Sequence, residues 1–296
     1  MKVGTAPQYE RSAKGVQTTF TPIDGFDKYR AENFANWESR VPIHAASRDY
    51  NLAGLAADPE KLSPVVTYDR SWLGDLAGLD AVHLQCHIGA DTISLARLGA
   101  RVTGVDFSPS ALEVARGLAV EAGVEARFVE SELYAVPDVL GADFDLVYTG
   151  VGALNWLPDI AGWGRVVASL LRPGGRLYVR DGHPMMYTLF DGIDDDVLRV
   201  TLPYFEGQEL HWFSENTYTD GPPVAHTGHY EWNHALSEIV QSVIDAGLTV
   251  TALREHRECE WKGLAHLVEA DDGKFRLAEG TDRLPLMFTL EARRPY

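Results

Sequence analysis

The chain has 296 residues, 45% of them hydrophobic, enough for one large domain or a domain with a substantial insertion around a sizeable buried core. Its 43 acidic against 26 basic residues give a net charge of −17, which argues against nucleic-acid or membrane binding and suits a neutral or cationic small ligand. Cys86 and Cys259 are far apart without CxxC spacing, no apolar run reaches membrane-span length, and the start MKVGTAPQYERSAKG lacks a secretory apolar core; a cytoplasmic protein without disulfides or a cysteine zinc site is expected.

Residues 1–25 are polar and without period, and read as a mobile arm. Phe26, Tyr29, Arg30, Asn33, Phe34 and Trp37 have helical spacing and open an N-terminal helical lid over 26–80. From residue 81 strands and helices alternate. AVHLQCH reads as a buried strand and DTISLARLGA as a helix closed by Gly99. RVTGVDF is a second strand, after which Ser108 and Pro109 supply the N-cap and first-turn proline of a helix running to Gly123. ARFVES and FDLVYTG are further strands, a helix spans 160–171, and RPGG turns the chain into a fifth strand, GRLYVRDG. Such short strands separated by helical segments imply right-handed crossovers and a parallel sheet covered on both faces.

Residues 184–230, rich in proline and aromatic residues, break the rhythm and read as a cap inserted after the fifth strand. The alternation resumes with a helix whose apolar face is Leu236, Ile239, Val240, Val243 and Ile244, stopped by Gly247. LTVTALREH and PLMFTLEAR end the chain as two strands able to pair antiparallel. The expected core is therefore 81–183 with 231–296.

Ligands of an open parallel sheet bind at the carboxyl ends of its strands. The first such end, LQCHIGADT, has one glycine, Gly89, where a dinucleotide would need G-x-G-x-x-G for its pyrophosphate. Gln85 and His87 suit a cofactor without phosphate. Asp106, ending the second strand, can accept the hydroxyl protons of a ribose; it could instead cap the next helix, but Ser108 holds the better cap position.

The run LQCHIGADTISLARLGARVTGVDFSPSALEVAR, with FDLVYTGVGALNWLPD, LLRPGGRLYVRDGHP and HYEWNHALSEIVQSVIDAGLTV, resembles class I S-adenosylmethionine-dependent methyltransferases. It is similar to a small-molecule subgroup with a Gln-Cys-His loop in place of the glycine-rich one. The resemblance covers most of 26–296, with 184–230 the weakest part. It implies a Rossmann-like, seven-stranded, mostly parallel sheet with helices on both faces. Aligned on Gly89, His83 falls at the family's acid and Gln85 and His87 at its first two glycines. The resemblance implies a cofactor site of Gln85, His87, Gly89, Asp91, Thr92, Asp106, Phe107, Ser108, Glu132, Leu133, Thr149, Gly150 and Val151. Asp106 would take the ribose, Phe107 flank the adenine, and Glu132 with Leu133 lie along its edge. Thr149, Gly150 and Val151 would line the sulfonium, with Tyr29 and Trp37 closing over the methionine end.

The acceptor is expected beneath the 184–230 segment. From Asp191 to Glu231 there are nine acids (Asp191, Asp194, Asp195, Asp196, Glu206, Glu209, Glu215, Asp220, Glu231) and one base, Arg199. Tyr204, Phe205, Trp212, Tyr218 and Tyr230 accompany them, with Trp156 upstream. Rings among carboxylates suit a flat cation, so an aromatic amine of the indole- or phenol-ethylamine type, from secondary metabolism, is the expected acceptor. A self-packed acidic loop would have the same composition. Attack could come from nitrogen, oxygen or an electron-rich ring carbon. His183, Glu206 and His229 are the candidate bases; HExxH is absent and no metal is expected. Two further readings are a nucleotide-dependent oxidoreductase and a cofactor-binding homologue without catalysis. The aromatic residues could equally serve a homodimer interface.

Overall fold

Strands that are apolar over consecutive positions must be covered on both faces, and that constraint sets the architecture. The computed structural model describes residues 25–141, 143–189, 197–278 and 282–296. In chain order the elements are α1 (Phe26–Ala46), α2 (Leu52–Ala57), α3 (Pro64–Leu73), β1 (Asp80–Leu84), α4 (Ala90–Arg97), β2 (Arg101–Asp106) and α5 (Pro109–Ala122). There follow β3 (Arg127–Glu130), α6 (Val136–Val139), β4 (Phe144–Thr149), α7 (Ile160–Leu170), β5 (Leu171–Gly182) and α8 (Pro184–Tyr187). The remainder holds β6 (Glu209–Phe213), β7 (Gly228–Trp232), α9 (Leu236–Asp245), β8 (Thr249–His256), β9 (Leu267–Glu269), β10 (Phe275–Leu277) and β11 (Met287–Arg293).

Seven strands form one sheet in the order β3-β2-β1-β4-β5-β11-β8. The first five run parallel, and β11 lies antiparallel to both β5 and β8, as the expected pairing of the last two strands requires. The strand order reverses at β1, which pairs with β2 on one side and β4 on the other, so a crevice opens beyond Leu84 and Thr149. Local punctuation acts as read: Ser108 Oγ accepts from Ala111 N at 3.0 Å and Gly123 closes α5 in the left-handed region.

One face of the sheet packs Trp163 and Val167 of α7 and Ile239 and Val243 of α9 against Val147, Val179 and Leu290. Gly164 lets α7 approach α9 closely, since a β-carbon there would lie 2.5 Å from the Ser242 carbonyl oxygen. Burying a ring the size of Trp163 contributes about 2–3 kcal/mol. The opposite face packs Val66, Leu73 and Leu95 on Tyr148 and Tyr178.

Three features differ from the sequence reading. The 184–230 segment, read as having no period, contains β6, which pairs antiparallel with β7 into a two-stranded ribbon. The boundary placed at 230 therefore falls inside β7. A second excursion, 257–286, lies between β8 and β11; its strands β9 and β10 have three residues each, too short to show a period. The expected arm at 1–25, apart from Gly25, lies outside the described residues, as do Asp191, Asp194, Asp195 and Asp196. Among the described residues no helix is long and apolar enough to cross a membrane.

A buried ionic cluster holds α3 and the second excursion to the sheet. The carboxylate of Asp69 accepts from Tyr148 Oη at 2.6 Å, from Tyr178 Oη at 2.9 Å and from Arg180 Nε, while Arg180 Nη1 pairs with Glu260 at 2.7 Å. Asp69 and Arg180 are fully buried. Asp69→Ala removes the shared acceptor of Tyr148, Tyr178 and Arg180 Nε, leaving only Glu260 as an ion partner of the guanidinium, and is expected to cost about 3–5 kcal/mol in urea unfolding, whereas Asp69→Leu combined with Arg180→Leu recovers part of that loss. Equal destabilisation by the single and double variants would contradict this account.

Candidate active site

The loop after β1 turns three times through the left-handed region, at Gln85 (φ 55°), His87 (φ 49°) and Gly89 (φ 80°). The backbone path associated with glycine is thus kept while two of the three residues carry side chains, at a cost of about 1 kcal/mol each. Gly89 also lacks room, since a β-carbon there would sit 2.7 Å from Ala115 Cβ of α5. Polar contacts hold the strained positions. His87 N–H donates to Asp106 Oδ2 at 2.7 Å, Gln85 Nε2 donates to the Ala153 carbonyl at 3.0 Å, and His87 Nε2 lies 2.8 Å from His44 Nδ1. Burial, with Arg40 nearby, lowers His44 to about 3, and burial drives His87 well below its ordinary value, so both imidazoles are neutral at pH 7.

Asp106 Oδ1 accepts from Ser108 N–H at 3.0 Å. Burial raises this carboxyl to about 6, against the hydrogen bonds from Ser108, His87 and Phe107. Phe107 meets Phe34 of α1 edge-on, and Ser108 Oγ donates to Glu38 of α1. Glu132 accepts from Tyr134 N–H at 2.8 Å and is raised by burial to about 7, with Leu133 buried beside it. Thr149 Oγ1 and Gln85 Oε1 are buried without a hydrogen-bond partner at the reversal point. Gly150 lies beside Asp91 and His83. Asp91 is raised by burial to about 6. Thr92 faces inward, its hydroxyl 2.9 Å from His83 Nδ1, and Val151 packs toward Met186 and Leu189.

Helix α1 closes this crevice. Asn33 exchanges two hydrogen bonds with the backbone of Tyr230 (2.9 and 2.7 Å), and Asn36 Nδ2 donates to the His226 carbonyl at 2.7 Å, so the helix is stitched to β7. The Trp37 ring lies 5.0 Å from both His87 and Trp156, and Trp156 lies 5.3 Å from His229. Trp37, His87, Trp156 and His229 therefore come together. Tyr29, two turns earlier, lies on the ribbon instead: its ring meets Tyr230 and Trp232, and its hydroxyl donates to Glu209.

The other expected acceptor residues divide. Tyr218 reaches the crevice, with its hydroxyl 2.6 Å from that of Tyr50 and its ring against His44. Tyr230 stacks on His211 within the ribbon. Trp212 on β6 buries an indole N–H without a partner. Tyr204 and Phe205 pack on each other, Phe205 being 66% exposed. Of the candidate bases, His183 caps α8 through Met185 N–H and pairs with Glu255 at 2.9 Å, and Glu206 accepts from Ile160 N–H beside His234. His229 stays with the aromatic group, its Nδ1 3.2 Å from the Thr227 carbonyl and its Nε2 3.5 Å from Glu231. Among the described acids of 184–230, Asp220 pairs with exposed Arg48, Glu206 accepts from Ile160 N–H, and Glu209 accepts from the Tyr29 hydroxyl beside Tyr230 and Trp232.

Sequence reading missed Arg40, His44, Tyr50 and Asp181. Trp37, Arg40 and His44 lie three and four residues apart, so helical spacing from Trp37 could have found two of them. Asp181, at the end of β5, accepts from Gly152 N–H (2.6 Å), Ala153 N–H (3.1 Å), Leu154 N–H (2.9 Å) and Gly182 N–H (2.6 Å). It thereby fixes the loop carrying Trp156. Asp181→Asn, which replaces an acceptor oxygen with a donor, is expected to destabilise by about 2–3 kcal/mol. Amide exchange at Gly152, Ala153 and Leu154 should accelerate with it; unchanged protection would remove Asp181 from this role.

Residues 81–175 match the family described as "Methyltransferase domain". A ubiquinone biosynthesis O-methyltransferase from Xanthomonas euvesicatoria pv. vesicatoria (strain 85-10) is 33% identical over 153 residues, covering 51% of this chain and 62% of that protein. One of the same name from Methylobacterium sp. (strain 4-46) is 38% identical over 160 residues, covering 53% and 62%. The chain thus spans 62% of the length of these two relatives. Among solved structures, an S-adenosylmethionine-dependent methyltransferase from Mesorhizobium loti superposes with a TM-score of 0.51 at 23% identity, covering 81% of this chain and all of that one. Magnesium protoporphyrin IX methyltransferase from Synechocystis PCC 6803, with bound S-adenosylhomocysteine, gives 0.53 at 19% identity, covering 90% and 99%. Sequence match and sheet order agree: residues 81–175 match a methyltransferase domain, and the seven-stranded sheet that contains them has the fold of solved S-adenosylmethionine-dependent methyltransferases.

Proposed function

We propose that this protein is an S-adenosylmethionine-dependent methyltransferase acting on an oxygen of a small aromatic acceptor. The observation that carries the reading is the pair of buried, unpartnered polar atoms, Thr149 Oγ1 and Gln85 Oε1, at the strand ends where the sheet order reverses. Such atoms cost about 1–3 kcal/mol each unless a ligand satisfies them. The residues present fit the cofactor. Asp106 and Glu132 are buried acceptors beyond β2 and β3, and the loop at 85–89 keeps the left-handed path without a phosphate cradle. When bound, the cofactor supplies an activated methyl group for in-line displacement.

The chain's own part is alignment, water exclusion and proton removal. Trp37 and Trp156 shield the crevice, and Asp181 holds the Trp156 loop in register. In the tautomer that donates from Nδ1 to the Thr227 carbonyl, His229 Nε2 is unprotonated, 3.5 Å from Glu231, and able to accept a hydroxyl proton. The names of the relatives support oxygen as the attacked atom. An ethylamine acceptor has less support, because the Trp37 and Trp156 rings already carry the Arg40 guanidinium.

Calorimetric titration with S-adenosylhomocysteine, with NADH as control, tests the cofactor. Binding is expected for the first and none for the second, and Asp106→Ala should weaken it by about tenfold or more. NADH binding without S-adenosylhomocysteine binding would favour an oxidoreductase instead. Because burial raises Asp106 to about 6, affinity should be level above pH 7 and fall by up to about tenfold per unit below 6, where the carboxylate becomes an acid. Stability from this group runs the opposite way, rising as pH falls from 6 toward 4. Asp106→Asn should flatten the binding profile; a retained inflection would assign it elsewhere. His229→Gln should lower kcat at least about a hundredfold with a smaller change in KM, and an unaltered pH–rate profile would eliminate it as the base.

A further inference from the structure

The ribbon of β6 and β7 has two unlike faces, because side chains alternate along paired strands. Pairing sets His211 opposite Tyr230 on one face, and Trp212 opposite His229 with Leu210 opposite Glu231 on the other. The second face is the one turned to the crevice: His229 is 4% exposed, its ring lies 5.3 Å from that of Trp156, and its Nε2 lies 3.5 Å from Glu231. Directly opposed residues of an antiparallel pair hold their β-carbons about 5 Å apart, so the Trp212 side chain leaves the ribbon beside that of His229. The Trp212 Nε1–H is buried and has no hydrogen-bond partner among the described residues. An indole nitrogen only donates, and a buried donor left unpaired costs about 1–3 kcal/mol. Trp163 also leaves its N–H unpaired, but in the packed interior between α7, α9 and the sheet rather than beside a candidate base.

We propose that the Trp212 indole N–H donates to the hydroxyl oxygen of the methyl acceptor that His229 deprotonates. An oxygen lodged between the two side chains meets a proton acceptor on β7 and a hydrogen-bond donor on β6. When the hydroxyl proton passes to His229 Nε2, the imidazolium gains the Glu231 carboxylate as its neighbour, and the oxygen keeps the electron pair and a negative charge. The Trp212 bond strengthens as that charge develops, since hydrogen bonds to ionised acceptors are about twice as strong as neutral ones. The same electron pair forms the new bond to carbon, and the carbon–sulfur pair departs with sulfur. Trp212 therefore favours a hydroxyl that ionises, a phenol, over an ammonium group, which has no lone pair to offer the indole. The inference rests on the methyltransferase reading for the use made of the oxygen, but not for the contact itself.

The test needs no turnover. 4-Nitrophenol, whose phenolate is yellow, is bound to wild type and to Trp212→Phe, which keeps an aromatic ring and removes the donor, and its ionised fraction is followed by absorbance against pH. Loss of one hydrogen bond to the anion should raise the ionisation midpoint of the bound phenol by about one pH unit in Trp212→Phe, roughly a tenfold loss of phenolate. Trp212→His, which supplies a ring N–H again, should recover part of it. In wild type the indole N–H resonance of Trp212, one of seven tryptophans, should move downfield when 4-nitrophenol binds and stay in place with nitrobenzene. That second reading decides the matter where a variant fails to fold. An unchanged midpoint in folded Trp212→Phe, a Trp212 resonance indifferent to 4-nitrophenol, or failure of 4-nitrophenol to bind overturns the proposal. Failure of wild type to bind S-adenosylhomocysteine removes the methyltransferase reading alone, and the nitrophenol measurements still decide the contact.

Discussion

The carboxylate of Asp106 accepts the backbone N–H groups of His87 and Ser108, and the geometry of the crevice depends on that pair of bonds. A loop with left-handed residues at Gln85 and His87 would relax if nothing held it, because side-chain-bearing residues avoid that region. Asp106 ties it to the end of β2, the Gln85 amide ties it to Ala153 after β4, and the His87 ring ties it to His44 of α1. The side chains of Gln85 and His87 thereby make the ties to Ala153 and His44, which bare glycines would leave unmade.

The crevice holds charge of both signs: the Arg40 guanidinium and the His44 and His87 imidazoles stand with the carboxyls of Asp91, Asp106 and Glu132. Burial sets the state of each group: it drives His44 and His87 to the neutral form and raises Asp106, Asp91 and Glu132 toward neutrality. A low-dielectric crevice of this kind strengthens whatever charge a ligand brings and penalises water within it.

The lid and the cap act through the backbone. Asn33 presents its amide to β7 as a neighbouring strand would, and Asn36 bonds the His226 carbonyl just before it, so α1 is pinned to the ribbon. The same helix reaches α5 through Glu38 and the Ser108 and Ser110 hydroxyls. Two independent anchors place Trp37 and Arg40 over the strand ends.

The strand–helix alternation, the caps at Ser108 and Gly123, and the antiparallel last pair were legible in the sequence because each depends on residues a few positions apart. That Asp106 and the loop at 85–89 lie at strand ends was legible for the same reason, because each comes directly after a short apolar run. The ribbon of β6 and β7 was not, since its two strands are joined by a long, aperiodic connection, and neither were the three-residue strands of the second excursion. Which side chains share the crevice was a tertiary decision. Tyr29 and Trp37 lie on one helix, yet only Trp37 meets the loop after β1, because the first turns of α1 pack on the ribbon. Likewise His183, Glu206 and His229 are equal candidates by residue type, and only the packing of β7 against Trp156 sets His229 apart. The sequence determined the scaffold through local periodicity, whereas the contents of the crevice came from contacts between residues 19 to 197 positions apart, which periodicity does not encode.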